Sequence, residues 1–305
     1  MTLYDLPAPA KLNLFLHVVG RRSDGYHLLE SVFRLITLAD SISIDLRSDG
    51  ELSLESNLGM QVRPEDDLVV KAARLLQQRT GTPLGAHLHV TKRIPVGGGL
   101  GGGSSDAATV LMGLNRLWRT GLTRSELANL GLSLGADVPF FVFGQTAFVQ
   151  GVGEKLEPVA VADASYLVFK PAASASTPTI FKAADLTRNT DRVKIADFSG
   201  ADRFVGSTNV ESGFGRNDLE PVVKRLLPVV SDAMSWVREQ GFSVRLSGSG
   251  SCFFAELDSP ADAQLARADL TAKMEKTSDG VAAVIEEVFA CDGLPWHPLM
   301  HWLTD

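Results

Sequence analysis

Six of the seven residues 97–103 are glycine, and Ser104-Ser105-Asp106 follow at once. The chemistry this composition suits is anion binding. Glycine leaves backbone N–H groups uncovered and permits positive φ, so a polyphosphate can approach the main chain closely. Ala107, Val110, Leu111 and Leu114 then recur at i, i+3, i+4 and i+7, with Leu117 a turn further on, the stripe of a buried helix. Such a helix points free N–H groups and the positive end of its dipole at the glycines. The two serines can donate to phosphate oxygens or hold a metal ion. A Walker A loop would need Lys where Ser104 stands, and a Rossmann unit would need a following strand where 123–134 reads as a helix. A flexible linker is disfavoured by the direct succession of strand, Pro95, glycines and apolar helix.

Other residues could do chemistry beside that cradle. Lys11 lies in an apolar, strand-like segment, where an unpaired ammonium is costly and a carboxylate or phosphate partner removes the cost. Asp137 stands between Ala136 and Val138, an acid in apolar surroundings. Asn13, Tyr26 and His27 supply an amide, an aromatic face and an imidazole. His87 and His89 alternate with Ala86, Leu88 and Val90; an H-x-H pair can ligate metal, but the favoured reading is a solvent-facing strand side. Trp296-His297 and His301-Trp302 read as a packed or interfacial tail. Cys252 and Cys291 lack metal-type spacing and suggest neither disulfide framework nor zinc site, which fits a reducing cytoplasm.

The elements that must position these groups follow from periodicity. Residues 12–18 alternate as a half-buried strand, and further strands are expected at 31–38, 41–46, 51–55 and 86–90. Helical spacing covers 65–79. Thr123-Arg124-Ser125-Glu126 is a capping box that opens another helix. Residues 138–143 and 146–149 read as a hairpin around Gly144. A looser stretch at 151–158 marks a domain boundary, giving domains 1–157 and 158–305. Beyond it, strands are expected at 166–169, 244–246, 252–257 and 281–288. Residues 171–178 read as a loop, and 188–217 as a long irregular connection. Helices are expected at 218–240, interrupted at Pro228, and at 261–276. The class is α+β.

With 305 residues, 45% hydrophobic and 21% charged, the chain can bury real cores. A net charge of −7 argues against nucleic acid as the main partner. No apolar run approaches the roughly 18 residues of a membrane span, and Asn13 and His17 interrupt the first one, so neither span nor signal peptide is expected.

Residues 95–105 resemble the phosphate loop of the GHMP kinases. Pro9-Ala10-Lys11-Leu12-Asn13-Leu14-Phe15-Leu16, then Arg22 to His27, and Gly135-Ala136-Asp137-Val138-Pro139-Phe140-Phe141 resemble the branch whose alcohol substrate carries cytidine diphosphate. Arg245 to Cys252 resembles the third glycine motif of that superfamily. The resemblance implies a two-domain GHMP kinase fold, with an N-terminal ATP-binding domain, a C-terminal α/β-plait-like domain and the active site in the cleft between them. It implies ATP-dependent phosphorylation of the C2 hydroxyl of a cytidine diphosphate-linked methylerythritol, with Mg²⁺ bridging the ATP phosphates. Asp137 becomes the base and Lys11 the stabiliser of the transferring group. Asp67, Leu68, Lys92, Pro95, Val96, Gly97, Gly98, Gly99, Leu100, Gly101, Gly102, Gly103, Ser104 and Ser105 fall at ATP, and Ser105 is the candidate for touching the metal. Asp67 departs from the Asn expected there. Asn13, Tyr26, His27, Thr177 and Phe181 fall at the cytidine end. A cytoplasmic monomer or weak homodimer is expected, with neither nucleic acid nor membrane as partner. The rivals are another GHMP substrate, against which Tyr26-His27 counts, and a silent nucleotide-binding member, against which Lys11 and Asp137 count.

Overall fold

The computed structural model describes residues 1–59, 63–193, 215–276 and 284–305. Two long strands, β1 (Thr2–Arg21) and β2 (His27–Arg47), pair antiparallel along nearly their full length. The runs expected at 31–38 and 41–46 are one strand, since neither Gly nor Pro separates them. Register shifts fall between Pro9 and Lys11 and between Asn13 and Leu16. Bulges of this kind re-aim side chains, and here they flank Lys11 and Asn13. β3 (Leu52–Ser56) runs parallel to β4 (Gly85–Thr91), which pairs antiparallel with β2.

Asp67 caps α1 (Leu68–Thr80) by accepting from the Val69 N–H, and Gly81 closes it in the left-handed region. The apolar stripe read after the glycines is α2 (Gly102–Leu117), and the expected capping box opens α3 (Arg124–Leu132).

Residues 138–143 form α4 (Val138–Phe143), not the first arm of a hairpin. Pro139 has no N–H to give a ladder but fits a first helical turn. Val138 to Val142 are all buried, so the run shows neither period and mimics a strand. The strand beyond Gly144 is β5 (Ala147–Gly151), paired with β2 and with β6 (Lys155–Pro158).

The second half builds β7 (Ser165–Pro171), β8 (Val244–Leu246), β9 (Phe253–Leu257) and β10 (Ile285–Leu294). Around them lie α5 (Thr177–Lys182), α6 (Glu220–Leu226), α7 (Pro228–Glu239) and α8 (Pro260–Lys276). α5 replaces the end of the loop expected at 171–178. Of the connection expected at 188–217, residues 194–214 lie outside the described ones, as do 281–283 of the expected 281–288 strand.

Gly293 and Leu294 at the end of β10 pair with Ile36 and Leu35 of β2, joining both halves into one ten-stranded sheet. One core packs α1 to α4 on the first sheet half; another packs α6 and α7 on the second. A third, with Leu12, Phe15, Tyr166 and Phe254, lies between them. The chain then returns: Leu299 and Leu303 pack in the first core, and burial pushes the His297 imidazole down to about 3. Among the described residues no helix is long and apolar enough to cross a membrane.

Candidate active site

The glycine loop lies where the two halves meet. Gly99 has φ 77°. A Cβ there would stand 2.2 Å from the Ser247 carbonyl, so both conformation and space demand glycine. Gly101 caps α2 at φ 74°, where a Cβ would strike the Phe141 ring at 2.8 Å. The C-terminal glycine motif holds the loop from behind. Cys252 N–H donates to the Gly98 carbonyl at 3.1 Å, and the Ser247 hydroxyl to that of Gly99 at 3.2 Å. Lys11 N–H donates to the Leu100 carbonyl at 2.9 Å, tying the loop to β1.

One cleft of about 1240 Å³ opens in front of this loop. That exceeds the roughly 300–1,000 Å³ of a single-ligand pocket and leaves room for two substrates. It is lined by every residue that the sequence assigns to catalysis, ATP or the cytidine end, with one exception. Ser105 is fully buried and donates its hydroxyl to the Pro9 carbonyl at 2.7 Å. The structure therefore turns Ser105 away from the position expected of a metal ligand. Its neighbour Ser104 faces the cleft instead.

Lys11 is 3% exposed. Its ammonium donates to Asn13 Oδ1, stands 3.8 Å from Asp137 Oδ2 and lies 4.6 Å from the Phe33 ring centroid. Burial lowers its pKa, and Asp137 opposes that shift. Asn13 is fixed in turn by donating to the Ser31 hydroxyl at 3.0 Å. Asp137 ends the chain segment before α4, its side chain a third exposed, so one face of its carboxylate is open to the cleft. A buried cation beside a half-open carboxylate is an arrangement for taking a proton and stabilising an anion in one place.

Lys92, expected at the adenosine, borders the cleft and also ties two acids together. Its ammonium bonds both Asp40 and, at 2.5 Å, Asp106 on the first turn of α2. Asp40 also accepts the Arg93 and Ile94 N–H groups at 2.5 and 2.8 Å, holding the chain that enters the loop. Nothing in the spacing of Asp40 within a 21-residue strand signalled this. The Lys92 ammonium thus bridges β2 and the first turn of α2 at an edge of the cleft. Burial pushes the Asp106 carboxyl up to about 8, against the pull of Lys92 and with repulsion from Asp40. The folded form thus keeps a proton that the unfolded chain releases near pH 4, and stability falls as pH rises towards 8. We expect the wild-type Tm to decline from pH 6 to pH 9 more steeply than that of Asp106→Asn, as a thermal-melt series would measure.

At the opposite end, His27 and Phe181 approach with ring centroids 5.1 Å apart, and Tyr26 projects 65% exposed. Arg188, missed by the sequence reading inside a polar stretch, donates from Nε to His27 Nε2 at 3.1 Å. Partial burial, then the charges of Arg188 and Arg21, lower the His27 pKa, which keeps the ring neutral at pH 7. Thr177 pairs with Ser249 at 2.7 Å, linking α5 to the C-terminal glycine motif. The result is a pocket with aromatic faces and polar edges, suited to a flat heterocycle.

Comparison with known proteins agrees with this geometry. Residues 67–145 match the GHMP kinases N terminal domain, and 209–276 the GHMP kinases C terminal domain. The chain is 55% identical over 307 aligned residues to the 4-diphosphocytidyl-2-C-methyl-D-erythritol kinase of Bordetella bronchiseptica, covering 100% of both chains. It is 50% identical to that of Herminiimonas arsenicoxydans, covering 99% of each. A crystal structure of 4-(cytidine 5'-diphospho)-2C-methyl-D-erythritol kinase superposes with a TM-score of 0.72 at 34% identity, covering 96% of this chain and 99% of that one. Homoserine kinase from Cytophaga hutchinsonii, at 14% identity and a TM-score of 0.70, shares the fold. The two-domain GHMP kinase fold is thereby established, and the chain belongs to the 4-diphosphocytidyl-2-C-methyl-D-erythritol kinase family.

Proposed function

We propose that this chain transfers the γ-phosphoryl group of ATP to the C2 hydroxyl of 4-diphosphocytidyl-2-C-methyl-D-erythritol, a step of non-mevalonate isoprenoid precursor synthesis. The observation that carries the reading is the Lys11–Asp137 pair, which faces a cleft with a phosphate cradle on one side and an aromatic pocket on the other. Phosphoryl transfer needs positioning, charge stabilisation and a base for the attacking hydroxyl.

Each requirement has a residue. Amides of 97–103 and the N-terminus of α2 hold the triphosphate, with Ser104 donating to it. Asp67 and Leu68 border the adenosine, and domain 1–157 carries the nucleotide. Asp137 accepts the proton of the hydroxyl as it attacks. Lys11 supplies positive charge to the phosphoryl group between the two oxygens. Tyr26, His27 and Phe181 enclose the cytosine, Asn13 and Thr177 the polar linkage, and domain 158–305 completes this wall.

Mg²⁺ fits the donor set. The Ser104 hydroxyl and Asp106 Oδ1, buried with no hydrogen-bond partner among the described residues, are hard oxygens beside the cradle. Bound there, the ion would offset the charge of the phosphates.

The reading is tested by incubating the purified chain with ATP and Mg²⁺ against a panel of alcohols. The panel holds the cytidine-linked methylerythritol, its uridine counterpart, homoserine, mevalonate and galactose. Turnover should be confined to the cytidine substrate, with ADP and a 2-phosphate as products by ³¹P NMR. Efficient phosphorylation of homoserine, mevalonate or galactose alone would remove the substrate assignment.

A further inference from the structure

We propose that His87, His89 and Glu55 form a surface site for a divalent transition-metal ion, Zn²⁺ above all, on the outer face of the sheet and apart from the cleft. The observation is a preset ligand geometry. His87 and His89, two residues apart on β4, point from the same side of the strand, while Ala86, Leu88 and Val90 are buried on the other. Glu55 of β3 is paired in register with His89 and brings its carboxylate near a nitrogen of each ring. Glu55 Oε2 lies 3.5 Å from His89 Nδ1 and 3.9 Å from His87 Nε2. One ligand atom from each of the three residues falls within 4.8 Å of the others. Tetrahedral ligands at bond lengths of about 2.0–2.1 Å stand about 3.3 Å apart, so small side-chain rotations close the site.

The remaining ring nitrogens are already engaged. His87 Nδ1 is 2.6 Å from the Ser53 hydroxyl, and His89 Nε2 is 3.2 Å from Asp45 Oδ2. With protons on those two nitrogens, the lone pairs of His87 Nε2 and His89 Nδ1 face the Glu55 carboxylate. Ligating histidines characteristically give their second N–H to a carboxylate or hydroxyl in this way, which sets tautomer and ring orientation. Asp45 is held in turn by accepting from the Thr2 hydroxyl at 2.6 Å. Two imidazoles and one carboxylate suit Zn²⁺, Co²⁺ or Ni²⁺ and not the oxygen-seeking Mg²⁺. Three protein ligands leave a position for water.

The ion would clamp β3 to β4 just before both strands reach the cleft. The two chains are already joined there: Lys92 N–H donates to Asn57 Oδ1 at 2.7 Å, and Leu58, Gly59 and Lys92 line the wall. Metal at this site would stiffen that wall from outside.

The test uses the untagged full chain, stripped with EDTA, without nucleotide, titrated with ZnCl₂ by calorimetry and followed by thermal melting. Expected are one equivalent of Zn²⁺ bound in the micromolar range, undiminished by excess MgCl₂, and a Tm raised by about 5 °C at a hundredfold excess over Kd. His87→Gln and His89→Gln each abolish that equivalent, and Asp45→Asn weakens it about tenfold. Glu55→Gln, at a side chain already 71% exposed, weakens binding without altering the metal-free Tm. Absence of saturable Zn²⁺ uptake by the wild type, or uptake that survives in the histidine variants and Glu55→Gln alike, overturns the proposal.

Discussion

Replacing Asp137 with Asn should lower kcat by about 10²–10⁴-fold, the span that a positioned general base contributes, with ATP affinity nearly unchanged. The asparagine fills the same volume but cannot take the proton from the attacking hydroxyl. The proposed ATP cradle consists of the backbone amides of 97–103 and not of the Asp137 carboxylate, which is why nucleotide binding should persist. The substitution also takes from Lys11 the charge that opposes its burial. The Lys11 ammonium then keeps Asn13 and the Phe33 face as neighbours, and its pKa should fall further. A steady-state profile together with ATP titration by fluorescence separates the two effects. Full activity in Asp137→Asn would remove the base from the mechanism.

The second large effect is expected of Lys11→Met. The loss of a buried cation aimed at developing negative charge typically costs about 10²–10³-fold in kcat. Stability should hold or rise, because methionine fills the stem's space without the desolvation of an ammonium, and the a-third-exposed Asp137 carboxylate can be rehydrated by water. Activity and Tm should therefore part company in this variant. Lys11→Met with Asp137→Asn should be far less than multiplicative, since both act on the same transferring group. Kinetics of the two single variants and the double variant measure that coupling.

Much of this site was legible in the chain because its chemistry is local. The glycine run carries its own conformational signature, and a lysine in an apolar strand poses an electrostatic problem that any partner must solve. Tyr26 and His27, adjacent in the chain, arrive at one end of the cleft together. What remained hidden depends on long-range pairing. Lys92 gave no sign of its tie to Asp40, 52 residues away, which is brought to it only when β2 and β4 pair. Ser105 and Ser104 are indistinguishable by type, and only the rotation of α2 on β1 decides which one meets the cleft.

The misread segment at 138–143 has a related cause. Five consecutive buried residues erase both the two-residue and the 3.6-residue period. Pro139 and the left-handed Gly144 were the signals that could have found the helix. β1 was read only over 12–18 and β2 in two pieces, and the interruptions of register beside Lys11 and Asn13 arise only when the two strands pair. Those interruptions are what aim the two side chains into the site. The H-x-H pair was half legible: alternation placed both rings on one face, but Glu55 and Asp45 come from other strands.

A structure of the chain with a non-hydrolysable ATP analogue and the cytidine-linked alcohol puts the central assignment to its sharpest test. The γ-phosphorus should rest in front of the amides of 97–103, with the C2 hydroxyl within about 2.6–3.2 Å of an Asp137 oxygen and Lys11 beside the transferring group. A γ-phosphate bound elsewhere in the cleft, or a hydroxyl turned away from both side chains, would contradict it.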